Sequence, residues 1–231
     1  MKYCLLLILL FFIVAHSVVA QPGRAIRVKA GEDVAQAYSP HGFYRFPEFN
    51  KAILYFNGNR RKSDILFNFN LYSGSMQFIN PKGDTLDLVN TPAPDSVVFE
   101  KNSFIYNNGF LEVVAQSDSL RLLKKLVLKT QGENIGAYGQ PNPTGSITSV
   151  AKISIGAAVY SLIVNQDVVL TEDINWFFMP GKNVAVKATK ANLLKLLPVE
   201  KQAKAEAYFK QNKVSFDREN DLKNLLEAIR S

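Results

Sequence analysis

"SDILFNFNLYSGSMQFINPKGDTLDL", residues 63–88, decides the fold. Ile65, Phe67, Phe69 and Leu71 alternate with Leu66, Asn68, Asn70 and Tyr72. A period of two points successive side chains to opposite sides, so this is a strand with one buried face. Ser73-Gly74 then turns the chain into "SMQFI", with Met76 and Phe78 inward, and "NPKGD" turns it again into "TLDLV", with Leu86 and Leu88 inward. Pro81 presets one turn dihedral and Gly83 accepts a positive φ. Three strands joined by tight turns make an antiparallel meander.

The same pattern extends in both directions. "KAILYF" (51–56) ends at Asn57-Gly58-Asn59, and "SVVFE" (96–100), "SFIYN" (103–107) and "FLEVVA" (110–115) follow, with Asn107-Asn108-Gly109 turning the last two. "LRLLKKLVLKT" (120–130) suits a helix through Leu122, Leu123 and Leu126 and a strand through Leu126-Val127-Leu128; it is read as a strand. Beyond residue 150, "AVYSLIV", "DVVL" and "INWFFMP" are β-branched or aromatic, and Pro180-Gly181-Lys182-Asn183 turns into "VAVKA". At Thr189 the period becomes 3.6. Thr189 is placed to cap "KANLLKLL", Pro198 to open a second helix running to about Asn212, and Asp217 to cap a third. In that third helix Leu222, Leu225, Leu226 and Ile229 form an apolar stripe.

The expected class is α+β: an antiparallel β-meander body (sheet, sandwich or partly open barrel) followed by about three short C-terminal helices. Its parts are a leader (1–20), a lead-in (21–40), the meander (41–130), a flexible Gly/Pro loop (131–149), further strands packing on the meander (150–188) and the helices (189–231).

The leader reads as a secretory signal peptide. Lys2 precedes an unbroken apolar run from Cys4 to Ala15, and Val18 and Ala20 are the small residues expected before cleavage, placing the cut after Ala20. A membrane span needs about 20 apolar residues, and this run ends at His16. Cleavage removes the sole cysteine, so the mature chain has no disulfide or thiol chemistry, and 211 residues suffice for a core of its own. The expected location is therefore exported: periplasmic or on the outer surface, soluble, with no transmembrane segment in the mature chain.

Charge and inventory narrow the chemistry. The formal charge falls from +7 to +6 with Lys2, and residues 182–213 carry eight lysines against Glu200 and Glu206. Lys190, Lys195, Lys201 and Lys204 are the candidate anionic-surface patch, against the alternative of a merely solvated helical face. Nucleic acid is disfavoured because no recognition motif accompanies the basic residues. His41 is the only histidine left after Ala20, and no Gly-x-Ser-x-Gly elbow is present, which argues against a Ser-His-Asp triad and against a His/Cys zinc site. "ENIGAYGQPNPTGSITS" (133–149) lacks the lysine and following helix of a phosphate loop, and reads as a connection between strands. Glu172 and Asp173 lack the additional oxygen ligands of a calcium loop. No catalytic residue, cofactor or metal is assigned. Glycosidase chemistry stays open, since it needs only two carboxylates, for which Asp64, Asp87, Glu112 and Asp173 are candidates. The aromatic clusters around Phe43–Phe56 and Trp176–Phe178 suit core packing before sugar stacking.

Asp84-Thr85-Leu86, Asp95-Ser96-Val97 and Asp118-Ser119-Leu120 resemble an O-glycosylation acceptor pattern of exported Bacteroidota-type proteins, making Thr85, Ser96 and Ser119 candidate modification sites. Taken together, "YRFPEFNKAILYFNGN", "ILFNFNLYSGSMQFINPKGDTLDL", the "GAYG…SIT" loop and "FDRENDLKNLLEAI" resemble a family of secreted, uncharacterised β-rich proteins of Bacteroidota-type bacteria over about residues 40–230. That resemblance implies architecture and export, and no functional residues. The expected function is a non-catalytic binding or interaction module of the cell envelope, meeting an envelope protein, glycan or anionic lipid. Two alternatives stay open: a carboxylate-dependent hydrolase acting on glycans, and a binder of anionic lipid or another polyanion through the lysine-rich helices.

Overall fold

A computed structural model describes residues 24–57, 59–88, 94–117, 120–132, 163–164, 167–181 and 184–230, with only the backbone described at 60–63 and 131–132. Ala20, Ser119 and residues 133–149 of the Gly/Pro loop lie outside the described residues.

The chain is α+β. Its strands are β1 (Ala25–Val28), β2 (Asn50–Phe56), β3 (Asn59–Asn70), β4 (Ser75–Ile79), β5 (Thr85–Asp87), β6 (Ser96–Val98), β7 (Ser103–Tyr106), β8 (Phe110–Gln116), β9 (Leu120–Gly132), β10 (Val168–Pro180) and β11 (Val186–Lys187). Its helices are α1 (Val34–Tyr38), α2 (Lys190–Leu196), α3 (Val199–Gln211) and α4 (Glu219–Arg230). The strands form one antiparallel, unclosed 11-stranded sheet in the order β1-β10-β9-β8-β7-β6-β2-β3-β4-β5, with β11 also on β10. Two meanders, β2–β5 and β6–β10, meet where β2 pairs with β6 and Leu54 opposes Val97.

Local chemistry explains the turns. Asn108 (φ 50°) and Gly109 (φ 118°) join β7 to β8, the Asn-Gly pairing that tight hairpins favour because both central residues need positive φ. The ambiguous leucine-rich segment is a strand. It pairs with β10 without a break, from Val168 opposite Gly132 to Pro180 opposite Leu120.

Residues directly opposite in an antiparallel pair point to the same side. The register pairs Phe69 with Met76, Val97 with Phe104, Phe104 with Glu112, Glu112 with Lys124 and Phe178 with Leu122, so all lie on one side, here called the inner face. Two clusters cover it. Val34 and Tyr38 of α1 and Phe43 pack with Phe67, Phe69, Phe104, Leu128 and Leu170. Leu193, Leu222, Leu225 and Ile229 of the C-terminal helices pack on Leu120, Leu122, Trp176 and Phe178. A smaller cluster of Ile105, Leu111, Leu123 and Met179 occupies the outer face.

Several local readings need refinement. The lead-in contains β1, paired with β10, and α1, capped by Asp33, whose side chain accepts from the Ala35 and Gln36 N–H groups. Ile65 is 39% exposed although Phe67 and Phe69 on its side of β3 are buried, because β2 and β3 shift register between Lys51 and Ile53 near that end. Thr189 caps α2 as expected, accepting from Asn192 N–H at 3.2 Å. Pro198 is the N-cap of α3, its carbonyl accepting from Lys201 and Gln202 N–H. The last helix begins at Glu219, with the Arg218 carbonyl accepting from Leu222 N–H, so the cap position is Arg218 and not Asp217. Among the described residues no helix is long and apolar enough to cross a membrane.

Candidate functional site

The structure disperses the candidate carboxylates. Asp64, Asp87, Glu112 and Asp173 lie on β3, β5, β8 and β10, no two of which are neighbours in the sheet. Each has its own partner. Asp64 meets Lys51 at 3.6 Å, Asp173 pairs with Lys129, and Asp87 accepts from Ser75 Oγ at 2.9 Å and Gln77 Nε2 at 2.7 Å. Glu112 is buried and accepts from Arg45 Nη2 (2.8 Å), Arg45 Nε (3.2 Å) and Asn102 Nδ2 (3.2 Å), with Lys124 Nζ at 3.6 Å. A buried carboxylate that accepts from a guanidinium and an amide, with a second cation beside it, has its oxygens taken up by structural contacts. Among the described residues, no group of three or more His, Cys, Asp or Glu side chains gathers as a metal site would require.

The lysine patch is spread along two helices. Lys190, Lys195 and Lys204 are exposed and Lys201 is half-buried. Lys195 sits in the last turn of α2, where a positive charge complements the helix dipole. Lys190 Nζ lies 4.8 Å from the Phe209 ring centroid. None of the four makes an ion pair among the described residues, and none lines either cavity described below. Thr85 is half-buried at the start of edge strand β5, and Ser96, also half-buried, opens β6. His41 is exposed, in the turn after α1.

Among the described residues, two concave sites lie on opposite faces of the sheet. The larger, an open cleft of about 690 Å³, lies on the outer face across β2, β6, β7, β8, β9 and β10. Alternation places Tyr55 there, because it opposes Ser96 while its neighbour Leu54 points inward. Val98, Ile105, Val113 and Met179 supply apolar surface, and Asn57, Ser96, Ser103, Asn107 and Gln116 supply amides and hydroxyls. Arg121 closes one side, its guanidinium donating to Gln116 Oε1 at 3.2 Å and the Gly181 carbonyl at 2.9 Å. Asp95 is the one carboxylate in the lining. Tyr106 also borders the cleft, but its ring turns away to meet Phe110 edge-on at 5.2 Å, leaving Tyr55 as the aromatic wall.

Sequence reasoning missed this cleft. Its residues come from six strands, and polar side chains on the outer face of a sheet read as ordinary solvated positions. Asn57 and Asn107 were visible only as turn residues.

The smaller cavity, about 380 Å³, lies on the inner face between the turn after α1 and strands β8 and β9. Tyr38, Tyr44, Arg45, Glu112 and Lys124 surround it. The Tyr38 hydroxyl donates to Glu172 Oε1 at 3.0 Å. Burial, then the Glu172 charge and this hydrogen bond, push the Tyr38 hydroxyl up to about 12. Burial, then the charge of Asp87, raise the Tyr44 hydroxyl. Both phenols are therefore neutral hydrogen-bond donors at physiological pH.

No family model, curated protein or solved structure matches this chain.

Proposed function

We propose that the protein is an exported, non-catalytic binding module of the cell envelope, and that it holds a carbohydrate in the outer-face cleft. The observation that carries this reading is the lining itself. Sugars present alternating apolar C–H faces and hydroxyl rims, and the cleft sets Tyr55, Ile105 and Met179 beside a ring of amides, hydroxyls and one arginine. Its volume lies within the range of small-molecule sites. The leader with its cut after Ala20, and the likeness to secreted Bacteroidota-type proteins, supply the envelope setting of the proposal.

Binding is favoured over hydrolysis because glycoside cleavage uses two carboxyl groups across the bond, and Asp95 is alone among the residues lining this cleft. Titration of the purified protein with neutral envelope and environmental oligosaccharides is the direct test. A saturable ligand that is returned uncleaved, and whose affinity falls about tenfold or more in Tyr55→Ala, is the expected result. Binding untouched by Tyr55→Ala and Asn107→Ala overturns the assignment to this cleft. Release of new reducing ends moves the protein to the hydrolase alternative. The mass of the protein recovered from its native host tests export, with Gln21 expected as the first residue.

A further inference from the structure

The inner-face cavity is built differently from the cleft and is unused by the proposed function. Its floor is aromatic and aliphatic: Phe69, Phe104, Phe110 and Leu126. Its rim carries three basic side chains, Arg24, Arg45 and Lys124, against a single carboxylate in the lining, Glu112. The contacts of Glu112 consume both of its oxygens: Oε1 accepts from Arg45 Nη2 and Asn102, and Oε2 faces Arg45 Nε and Lys124. Arg45 alone balances that charge by a two-point contact, the strongest geometry available to a guanidinium and a carboxylate.

Two further carboxylates approach the rim. Glu172 accepts from the Tyr38 hydroxyl behind it. Glu219 lies 3.9 Å from Lys124 but 2.7 Å from Lys223, its nearer partner on α4. Arg24 makes no ion pair among the described residues, and its guanidinium carbon stands 5.7 Å from the Tyr38 ring centroid. Lys124 is shared between Glu112 and Glu219, so Arg24 is the cation whose charge is least satisfied, and it is an exposed residue bordering a cavity with an apolar floor.

We infer that this cavity is a second binding site, for a small amphiphilic carboxylate whose headgroup meets Arg24 and whose hydrocarbon part lies on Phe69, Phe104 and Phe110. A single negative charge matches the one cation of the rim that makes no ion pair among the described residues. A volume of about 380 Å³, near the lower end for ligand sites, suits a short chain better than a full lipid. The site is on the opposite face from the carbohydrate cleft, so neither assignment depends on the other.

Calorimetric titration of the protein with octanoate and, separately, with 1-octanol tests it. Octanoate is expected to bind saturably and at least about tenfold more tightly than the neutral alcohol, the difference assigned to the headgroup contact. Arg24→Gln should remove about that factor for octanoate while leaving octanol binding and the unfolding midpoint unchanged. Phe110→Trp, which crowds the floor, should weaken both ligands. Equal affinities for acid and alcohol, octanoate binding indifferent to Arg24→Gln, or no saturable octanoate binding by the folded protein would each overturn the inference.

Discussion

One end of the inner face lies under residues 33–49, which hold a single five-residue helix; the other lies under α2, α3 and α4. Helices satisfy their own backbone hydrogen bonds, so that end needs only apolar side chains, and it uses leucines such as Leu193, Leu222 and Leu225. An irregular cover has no such internal ladder. Its polar groups are met from the sheet: Asn68 Nδ2 donates to the Phe46 and Glu48 carbonyls, and Oδ1 accepts from Phe46 N–H. Phe43 O and Arg45 N–H pair with Leu71 and Phe69 along β3. Aromatic rings then fill the less regular space, with Phe46 against Phe99 and Phe69 against Phe104, both at 4.9 Å. Trp176 shows the same weighing on the helical side. Its Nε1 is buried with no hydrogen-bond partner among the described residues, at a cost of about 1–3 kcal/mol. Burying the whole indole gains roughly 4–6 kcal/mol, which exceeds that cost.

The comparison breaks most directly at its two centres. Phe104→Ala, at a site 1% exposed in the aromatic end, should cost about 3–5 kcal/mol. Leu225→Ala, fully buried at the helical end, should cost about 2–5 kcal/mol. Both are read from urea unfolding. A loss below 1 kcal/mol at either would mean that end of the face is not a packed core. The seam between the ends is Glu112, which joins Arg45 of the irregular cover to Lys124, itself 3.9 Å from Glu219 of α4. Removing one member of a buried pair costs about 3–5 kcal/mol, but Arg45 is about a third exposed, so Glu112→Gln should cost about 2 kcal/mol. If the two ends instead unfold independently, the substitution will shift one transition and leave the other in place.

The aromatic end was legible strand by strand and illegible as an assembly. Phe67, Phe69 and Met76 announced their face through alternation, and Asn108-Gly109 announced its hairpin. Asn68 and Asn70 read as the solvated side of β3, yet they are buried, because a side-chain amide can replace a missing backbone partner and sequence spacing does not record that. The helical end was clearer: the stripe from Leu222 to Ile229 and the Thr189 cap both stand where the period placed them. α1 was missed because five residues are too few to show a helical period. The sites were the least legible part, since Tyr55, Asn107 and Met179 in one and Arg24, Arg45 and Lys124 in the other meet only through strand order.

A smaller and more selective effect comes from Tyr38, which ties the irregular cover to β10 through Glu172. Tyr38→Phe removes one hydrogen bond to a charged group and should cost about 1.5 kcal/mol. The pH dependence separates this contact from simple packing. The folded hydroxyl titrates at about 12 against 10.0 in the unfolded chain, so the folded state holds the proton more tightly. Stability from this group is complete below pH 10 and is lost as the pH rises through about 12. Unfolding curves across that window should decline for the wild type and flatten in Tyr38→Phe. Equal slopes would place the alkaline sensitivity elsewhere.

The smallest expected effect on stability sharpens the helical end instead. Exposed positions usually change stability by no more than about 0.5 kcal/mol, and with Lys190, Lys195 and Lys204 exposed and Lys201 half-buried, reversing all four to Glu should leave the fold intact. Lys190 loses its place over Phe209 and Lys195 its complement to the α2 dipole, small terms for solvated groups. The variant therefore isolates charge from folding. If the lysines are the working surface, heparin retention of the wild type will be salt-sensitive and will vanish in the variant, as the polyanion alternative requires. If the outer-face cleft is the working surface, oligosaccharide affinity will survive four charge reversals, because no lysine of this patch lines it. The two ends of the face would then differ in role as well as in construction: the helices complete the core, and recognition belongs to the sheet.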